Sequence, residues 1–269
     1  MSTPPRSAAR RLRRRIARWA APELEAELAE TKRRLKAARR KLRARDETAL
    51  PAEVEDVIAA VRAEHLTYLK PAGLRDLAAR TLELERSGTE GVVIEAGTAR
   101  GGSAIVMAAA KAPERPMKVY DVFGMIPPPT DQDGPDVHER YAKITGGEAR
   151  GPGGETYYGY RDDLLGEVTA SFERHGVPVG ERNVELIQGL FQDTIALDEP
   201  VALAHLDGDW YESTMTCLER IAPLLVLGGR IVLDDYYAWS GCRTAVDEYF
   251  AERPGYRLEH GTKLHVVRA

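Results

Sequence analysis

The sequence predicts an α/β fold: a doubly wound, mostly parallel sheet of seven strands behind an N-terminal helical, coiled-coil-like extension. Three observations predict it. From about residue 90, short apolar runs alternate with stretches of helical periodicity, and strands buried on both faces belong to parallel sheets covered by helices. The chain closes on two strand-like segments around Gly261-Thr262, which add an antiparallel edge. Charge divides near residue 50: residues 1–50 carry 16 Lys and Arg against 6 Asp and Glu, a net +10, and the remainder carries 22 against 36, a net −14.

Residues 1–22 form a basic stretch, disordered or briefly helical. Leu12, Ile16 and Trp19 fall at helical spacing, but so short an apolar face suits a solvated lead-in better than a membrane-surface helix. A weak contact with an anionic membrane or a polyanion stays open. Residues 23–50 are heptad-like. Leu28, Leu35 and Leu42 recur every seventh residue, with Leu24, Thr31 and Ala38 at the other seam position. Roughly three heptads are the minimum for a coiled coil, so a self-association helix and a homo-oligomer are expected. A single solvated helix is the alternative.

The acidic body spans residues 51–269. Residues 52–86 read as two helical stretches broken at Pro71 and ended by Gly88. Strands are expected at Gly91–Ala96, Met117–Asp121, Val184–Gln188, Val201–Leu206 and Arg230–Leu233, with the hairpin at Arg257–His260 and Leu264–Val267. Helices are expected at Ser103–Lys111, residues 164–175, Thr214–Leu225 and Ala245–Ala251. The stretch 122–163, with IPPP, GG and GPGG, reads as a long insertion. Loops of that length are usually lids or binding loops. Its tyrosines, Tyr157, Tyr158 and Tyr160, either face a substrate or pack on the core; both readings stand.

Composition narrows the function. Two cysteines, Cys217 and Cys242, exclude a disulfide scaffold and a zinc-thiolate fold. Neither a membrane-length apolar run nor a secretory signal is evident, which leads to an expected cytoplasmic location. An acidic body argues against nucleic acid as the catalytic domain's partner.

Three motifs carry chemistry. The first, Glu95–Ser103 (EAGTARGGS), links a strand to a helix. Gly97, Gly101 and Gly102 let a ligand approach the backbone, and the helix N-terminus favours a carboxylate or phosphate. Glu95, on the preceding strand, suits a cationic amino-acid moiety. The second is Asp121 at a strand end, where an acid accepts hydrogen bonds from ribose hydroxyls. The third is the pair His205–Trp210 (HLDGDW) and Leu233–Tyr236 (LDDY), each following an apolar strand. Carboxylates gathered there would repel one another unless they held a hard divalent cation. Asp207, Asp234 and Asp235 fit that role. Asp209, two residues on, could stand beside the metal and accept a proton.

Glu95–Ser103, Tyr120–Phe123 (YDVF), Gly189–Thr194 (GLFQDT), Leu206–Thr214 (LDGDWYEST) and Leu233–Tyr237 (LDDYY) together resemble the motifs of the macrocin O-methyltransferase (TylF-type) family, in order. The resemblance runs from about Leu66 to Val267. It implies a class I, Rossmann-like methyltransferase fold, S-adenosylmethionine as methyl donor and Mg2+ or another divalent cation. It also implies a sugar hydroxyl as acceptor, on a glycosylated natural product or a surface polysaccharide, so a small-molecule or glycan acceptor is the expected partner. On that resemblance Gly97, Gly101 and the rest of the glycine loop hold the methionine part of the cofactor. Ser103 binds its carboxylate, Asp121 its ribose, and Gln192 matches an adenine-contacting position of the related catechol-type enzymes. Thr67 and Tyr68, in LTYL, resemble the segment that covers the cofactor. Asp207, Asp234 and Asp235 match the magnesium ligands, with Asp207 also beside the cofactor, and Asp209 the general base. The long insertion departs from the antibiotic-sugar members and looks more like a branch found near surface-polysaccharide genes. A catechol-like phenol acceptor or a non-catalytic scaffold are the alternatives. A nicotinamide oxidoreductase is disfavoured, because G-x-G-x-x-G and Y-x-x-x-K are both absent.

Overall fold

The structure is a computed structural model that describes residues 31–34 and 49–269. Residues 31–34 are helical and exposed. The expected basic arm and the rest of the heptad pattern lie outside the described residues. The body forms its own compact unit from Leu50 to Ala269. Among the described residues, no helix is long and apolar enough to cross a membrane.

Helices α1 (Ala52–Ala63) and α2 (Pro71–Ser87) open the body. Pro71 starts α2, where its missing N–H costs nothing, and Gly88 closes it in the left-handed region at φ 64°. Strands β1 (Val92–Ala96), β2 (Met117–Asp121), β3 (Val184–Gln188), β4 (Val201–Leu206), β5 (Leu225–Leu233), β6 (Tyr256–His260) and β7 (Leu264–Arg268) follow. They form one sheet in the order β3-β2-β1-β4-β5-β7-β6. The first five are parallel, and β7 pairs antiparallel with β5 and β6.

Side-chain alternation along each strand feeds two cores. Val93, Val119, Leu203 and Val232 pack with α1, α2, α3 (Gly102–Ala110) and α5 (Leu164–Arg174) on one face. Ile94, Tyr120, Ala204 and Ile231 pack with the short α6 (Phe191–Thr194), α7 (Tyr211–Ile221) and α8 (Ser240–Phe250) on the other. This is the expected doubly wound sheet.

Four expectations need correction. Strand β5 begins at Leu225, five residues before the expected Arg230. The Gly228-Gly229 pair reads as a turn, yet it forms an irregularity inside the strand: Gly228 has φ 77°, and the register against β4 shifts there. Helix α7 starts at Tyr211 and ends at Ile221, where a short 3-10 turn around Pro223 leads into β5. Helix α8 starts at Ser240 rather than Ala245, because Asp136, 104 residues away, accepts hydrogen bonds from the Ser240 N–H and hydroxyl. The insertion is no plain loop. It contains helix α4 (Pro135–Thr145), with Val137 and Ile144 buried, and a third apolar cluster of Ile126, Val137, Ile144, Ala149, Tyr157 and Trp210.

Candidate active site

The sheet lines the site up by register. Ala96 lies beside Tyr120 on one side and Leu206 on the other, and Leu206 lies beside Leu233. The ladder then runs one residue past the strands: Gly97 N–H donates to the Tyr120 carbonyl at 2.8 Å, Asp207 N–H to Ala96 at 2.9 Å and Asp234 N–H to Leu206 at 2.9 Å. Asp121, Gly97, Asp207 and Asp234 therefore stand in one row at the carboxyl ends of four neighbouring strands. Strand order reverses between β1 and β4, the switch point where open α/β sheets bind ligands.

Gly97 is required by this row. Its φ is +88°, and a Cβ there would lie 2.0 Å from the Asp207 carbonyl oxygen. Asp121 is buried, and its carboxylate accepts from the N–H groups of Thr98, Ala99 and Phe123 at 2.7, 3.1 and 2.7 Å. It thus pins the glycine loop to β2. Burial raises its pKa, and those three hydrogen bonds oppose the rise.

Two adjoining cavities share Gly97, Asp121, Tyr158, Asp207 and Asp209. One is a slot lined by Val122, Pro127, Leu190, Phe191 and Gln192. The other opens to solvent and adds Tyr68, Arg140, Tyr157, Trp210, Trp239, Asp234 and Asp235. Tyr157 is buried in the third apolar cluster and also lines this cavity. Tyr158 also lines it; Tyr160 lines neither cavity, and its hydroxyl joins the Ile144 carbonyl.

Asp207, Asp234 and Asp235 offer carboxylate oxygens within 4.8 Å of one another. Burial and the neighbouring Asp235, Asp234 and Asp209 push the Asp207 carboxyl well above its usual range. Burial, with Asp235 and Asp234, does the same to Asp209, against weaker opposing pulls from Trp239 and Arg140. Asp235 is raised to about 6, by burial first and Asp234 second. Asp234 differs: burial would raise it, but His205 and Lys263 outweigh burial and hold it low. Asp234 Oδ1 is enclosed and ion-paired with Lys263 Nζ at 2.6 Å. A tight, largely enclosed set of hard oxygen donors fits a divalent cation.

Asp209 sits at φ 56°, in the left-handed region that Asp tolerates better than most residues. Its N–H donates to Asp235 Oδ2 at 3.1 Å, which holds the turn in place.

Other residues stand behind the cavities. Glu95 lines neither one; its wholly buried carboxylate accepts from Thr98 Oγ1 at 2.6 Å and meets His205 Nδ1 at 2.8 Å. His205, also wholly buried, points its Nε2 toward Asp234 Oδ1 at 3.6 Å. Burial alone would lower the His205 pKa, but Asp234 and Glu95 together raise it to about 9. A buried strut thus joins the glycine loop to the carboxylate cluster. Gly101, at φ 85°, starts α3, and Ser103 is buried in its first turn. Gly102 N–H donates to the Leu66 carbonyl at 3.1 Å, and a Cβ on Gly102 would lie 2.8 Å from both that oxygen and Thr67 Cβ. This close approach presses Leu66–Leu69 against the glycine loop. Thr67 is buried there and accepts from Leu69 N–H, while Tyr68 turns to the cavity mouth, edge-on to Tyr158.

Sequence reasoning missed His205, Lys263, Arg140, Trp210 and Trp239 as parts of the site. Trp210 and Trp239 flank the two acidic motifs and meet edge to face at 5.9 Å. Their closeness to LDGD and LDDY was a usable signal.

Comparison with known proteins points the same way. Residues 154–255 match the profile of the family described as Macrocin-O-methyltransferase (TylF). The chain is 34% identical over 170 residues to the 8-demethyl-8-(2,3-dimethoxy-alpha-L-rhamnosyl)-tetracenomycin-C 4'-O-methyltransferase of Streptomyces olivaceus, covering 60% of this chain and 59% of that protein. It is 31% identical over 196 residues to the Mycinamicin III 3''-O-methyltransferase of Micromonospora griseorubida, covering 68% of this chain and 66% of that protein. This chain belongs to the TylF family. The matches span slightly less than two thirds of these relatives' lengths. The TylF-family fold also matches the solved O-methyltransferase NovP, with a TM-score of 0.64 at 23% identity over 78% of this chain and 88% of that one; this second likeness is one of fold.

Proposed function

We propose that this TylF-family chain is a metal-dependent O-methyltransferase that moves a methyl group from S-adenosylmethionine to a sugar hydroxyl. The acceptor would be a glycosylated natural product or a surface polysaccharide. The observation that carries the reading is the carboxylate row at the ends of β4 and β5, opening onto an aromatic-walled cavity beside the glycine loop. The sugar hydroxyls named for the two relatives support the acceptor class.

Gly97, Asp121 and Gln192 would cradle the cofactor along the slot, with Leu190 and Phe191 offering apolar faces to a flat base. Bound there, S-adenosylmethionine would supply an electrophilic methyl, its S–C bond breaking as an O–C bond forms. Asp207, Asp234 and Asp235 would hold the divalent cation, whose Lewis acidity lowers the pKa of an acceptor hydroxyl. Asp209 takes the hydroxyl proton onto its carboxylate; burial and its acidic neighbours make it a stronger base than an exposed Asp. Trp210, Trp239 and Tyr157 would wall the acceptor site with apolar surface and exclude water. His205 and Lys263 hold Asp234 in place.

The test is transfer of labelled methyl to a panel of deoxysugar glycosides and polysaccharide fragments, with and without Mg2+. Asp209→Asn is expected to bind cofactor and cation yet lose about 100-fold or more in turnover. Asp207→Ala is expected to lose cation binding and activity together. Near-normal turnover by Asp209→Asn would remove Asp209 from the mechanism. Transfer to catechols but to no sugar would replace the acceptor class.

A further inference from the structure

Arg140 stands out in the larger cavity. It comes from α4, the helix inside the insertion, and shares the cavity with five carboxylates, Asp121, Asp207, Asp209, Asp234 and Asp235. Yet among the described residues its guanidinium makes no ion pair or hydrogen bond. Its partner is the Tyr157 ring, 5.8 Å from Cζ to the ring centroid. Most arginines of the body are engaged in a different way. Arg115 is held by Glu85 and two backbone carbonyls, Arg161 by Glu167, Arg230 by Glu259. A guanidinium held over an aromatic ring keeps its N–H edges free. Those edges form a planar fork suited to a carboxylate or phosphate.

Charge sharpens the point. The body carries a net −14, and this cavity gathers five of its acids. A neutral sugar needs no guanidinium there: the aromatic walls and the carboxylates already offer apolar contact and hydrogen-bond acceptors. An anionic acceptor would be repelled unless one fixed positive group met it.

We propose that the acceptor carries an anionic group, a carboxylate or a phosphoryl ester, that docks on Arg140 while a neutral hydroxyl of the same molecule meets Asp209. This deepens the methyltransferase reading and rests on it. The acceptor class is then an acidic sugar: a uronic-acid glycoside if the anion is a carboxylate, a sugar phosphate or nucleotide sugar if it is a phosphoryl group.

Binding to the full chain, saturated with S-adenosylhomocysteine and Mg2+, tests it. Three probes are compared by calorimetry or ligand-observed NMR: a methyl hexuronide, the matching neutral methyl hexoside and a nucleoside-diphosphate hexose. At least one acidic probe is expected to bind about tenfold or more tighter than the neutral one, the size of a charge-assisted hydrogen-bonded pair. Which acidic probe it is names the source of the charge. The preference should shrink with added salt, fall to near one in Arg140→Gln and return in part in Arg140→Lys. Equal binding of acidic and neutral probes overturns the proposal, as does binding of none of the three to a protein that holds S-adenosylhomocysteine. An equal loss on all probes in Arg140→Gln would assign Arg140 to the carboxylates instead, and also overturns it. Failure to bind S-adenosylhomocysteine would sink the underlying methyltransferase reading rather than the role of Arg140 alone.

Discussion

Asp209 and Gly97 both adopt positive φ within one turn of chain from the carboxylate row, at 56° and 88°. Strain of this kind gathers at functional sites because the surroundings must hold it. Asn shares the tolerance of Asp for this region, so Asp209→Asn tests chemistry with little backbone disturbance. Gly97 has no such substitute. Gly97→Ala would drive a methyl into the Asp207 carbonyl and force a disfavoured φ, and is expected to cost more than about 1 kcal/mol of stability. Chemical denaturation and S-adenosylhomocysteine titration should show both losses; unchanged stability and affinity in Gly97→Ala would mean the row can shift freely. Residues of this row were legible in the sequence because each directly follows an apolar strand. The Glu95–His205 pair was not, since it joins neighbouring strands 110 residues apart. Arg140 was missed with the helix that carries it.

At the scale of elements, α4 had its own signals: Pro135 at the first helical position and Val137, Tyr141 and Ile144 at helical spacing. The surrounding glycines and prolines hid them. The insertion is fastened at points no local pattern reveals, with Asp133 accepting from Tyr211 N–H and Asp136 from Ser240 N–H. Another element junction gives a pH prediction. Buried Lys111, just after α3, donates to the carbonyls of Ala112, Pro113, Arg115 and Arg182. Burial first, then Arg182, pushes its pKa from 10.5 down to about 8. Below pH 8 folded and unfolded chains both hold the proton, and the penalty of a buried charge is complete. Between about pH 8 and 10.5 the unfolded chain binds more proton than the folded one, so this group makes stability rise with pH. Urea midpoints at pH 8 and 10 should therefore diverge between the native chain and Lys111→Met, the native chain gaining on the variant at the higher pH. Parallel midpoints would show that Lys111 keeps its ordinary titration.

Across the whole molecule, the order of strands decides where chemistry can occur. The seven strands, their parallel core and their antiparallel edge could be read from alternation and a closing hairpin, because buried parallel strands are nearly continuous apolar runs. Extent was harder to read: β5 runs through two glycines that look like a turn. The carboxylate cluster emerges from topology, since β4 and β5 are neighbours and bring LDGD beside LDDY. The central claim is that this row binds a cation next to a methyl donor. The most direct measurement is calorimetric titration of S-adenosylmethionine and S-adenosylhomocysteine into the full chain, with and without Mg2+, beside Asp207→Ala. The account predicts roughly micromolar cofactor binding, a separate Mg2+ binding event in the native chain and loss of that event in the variant. Absence of cofactor binding under every condition, or Mg2+ binding unchanged by Asp207→Ala, would contradict it.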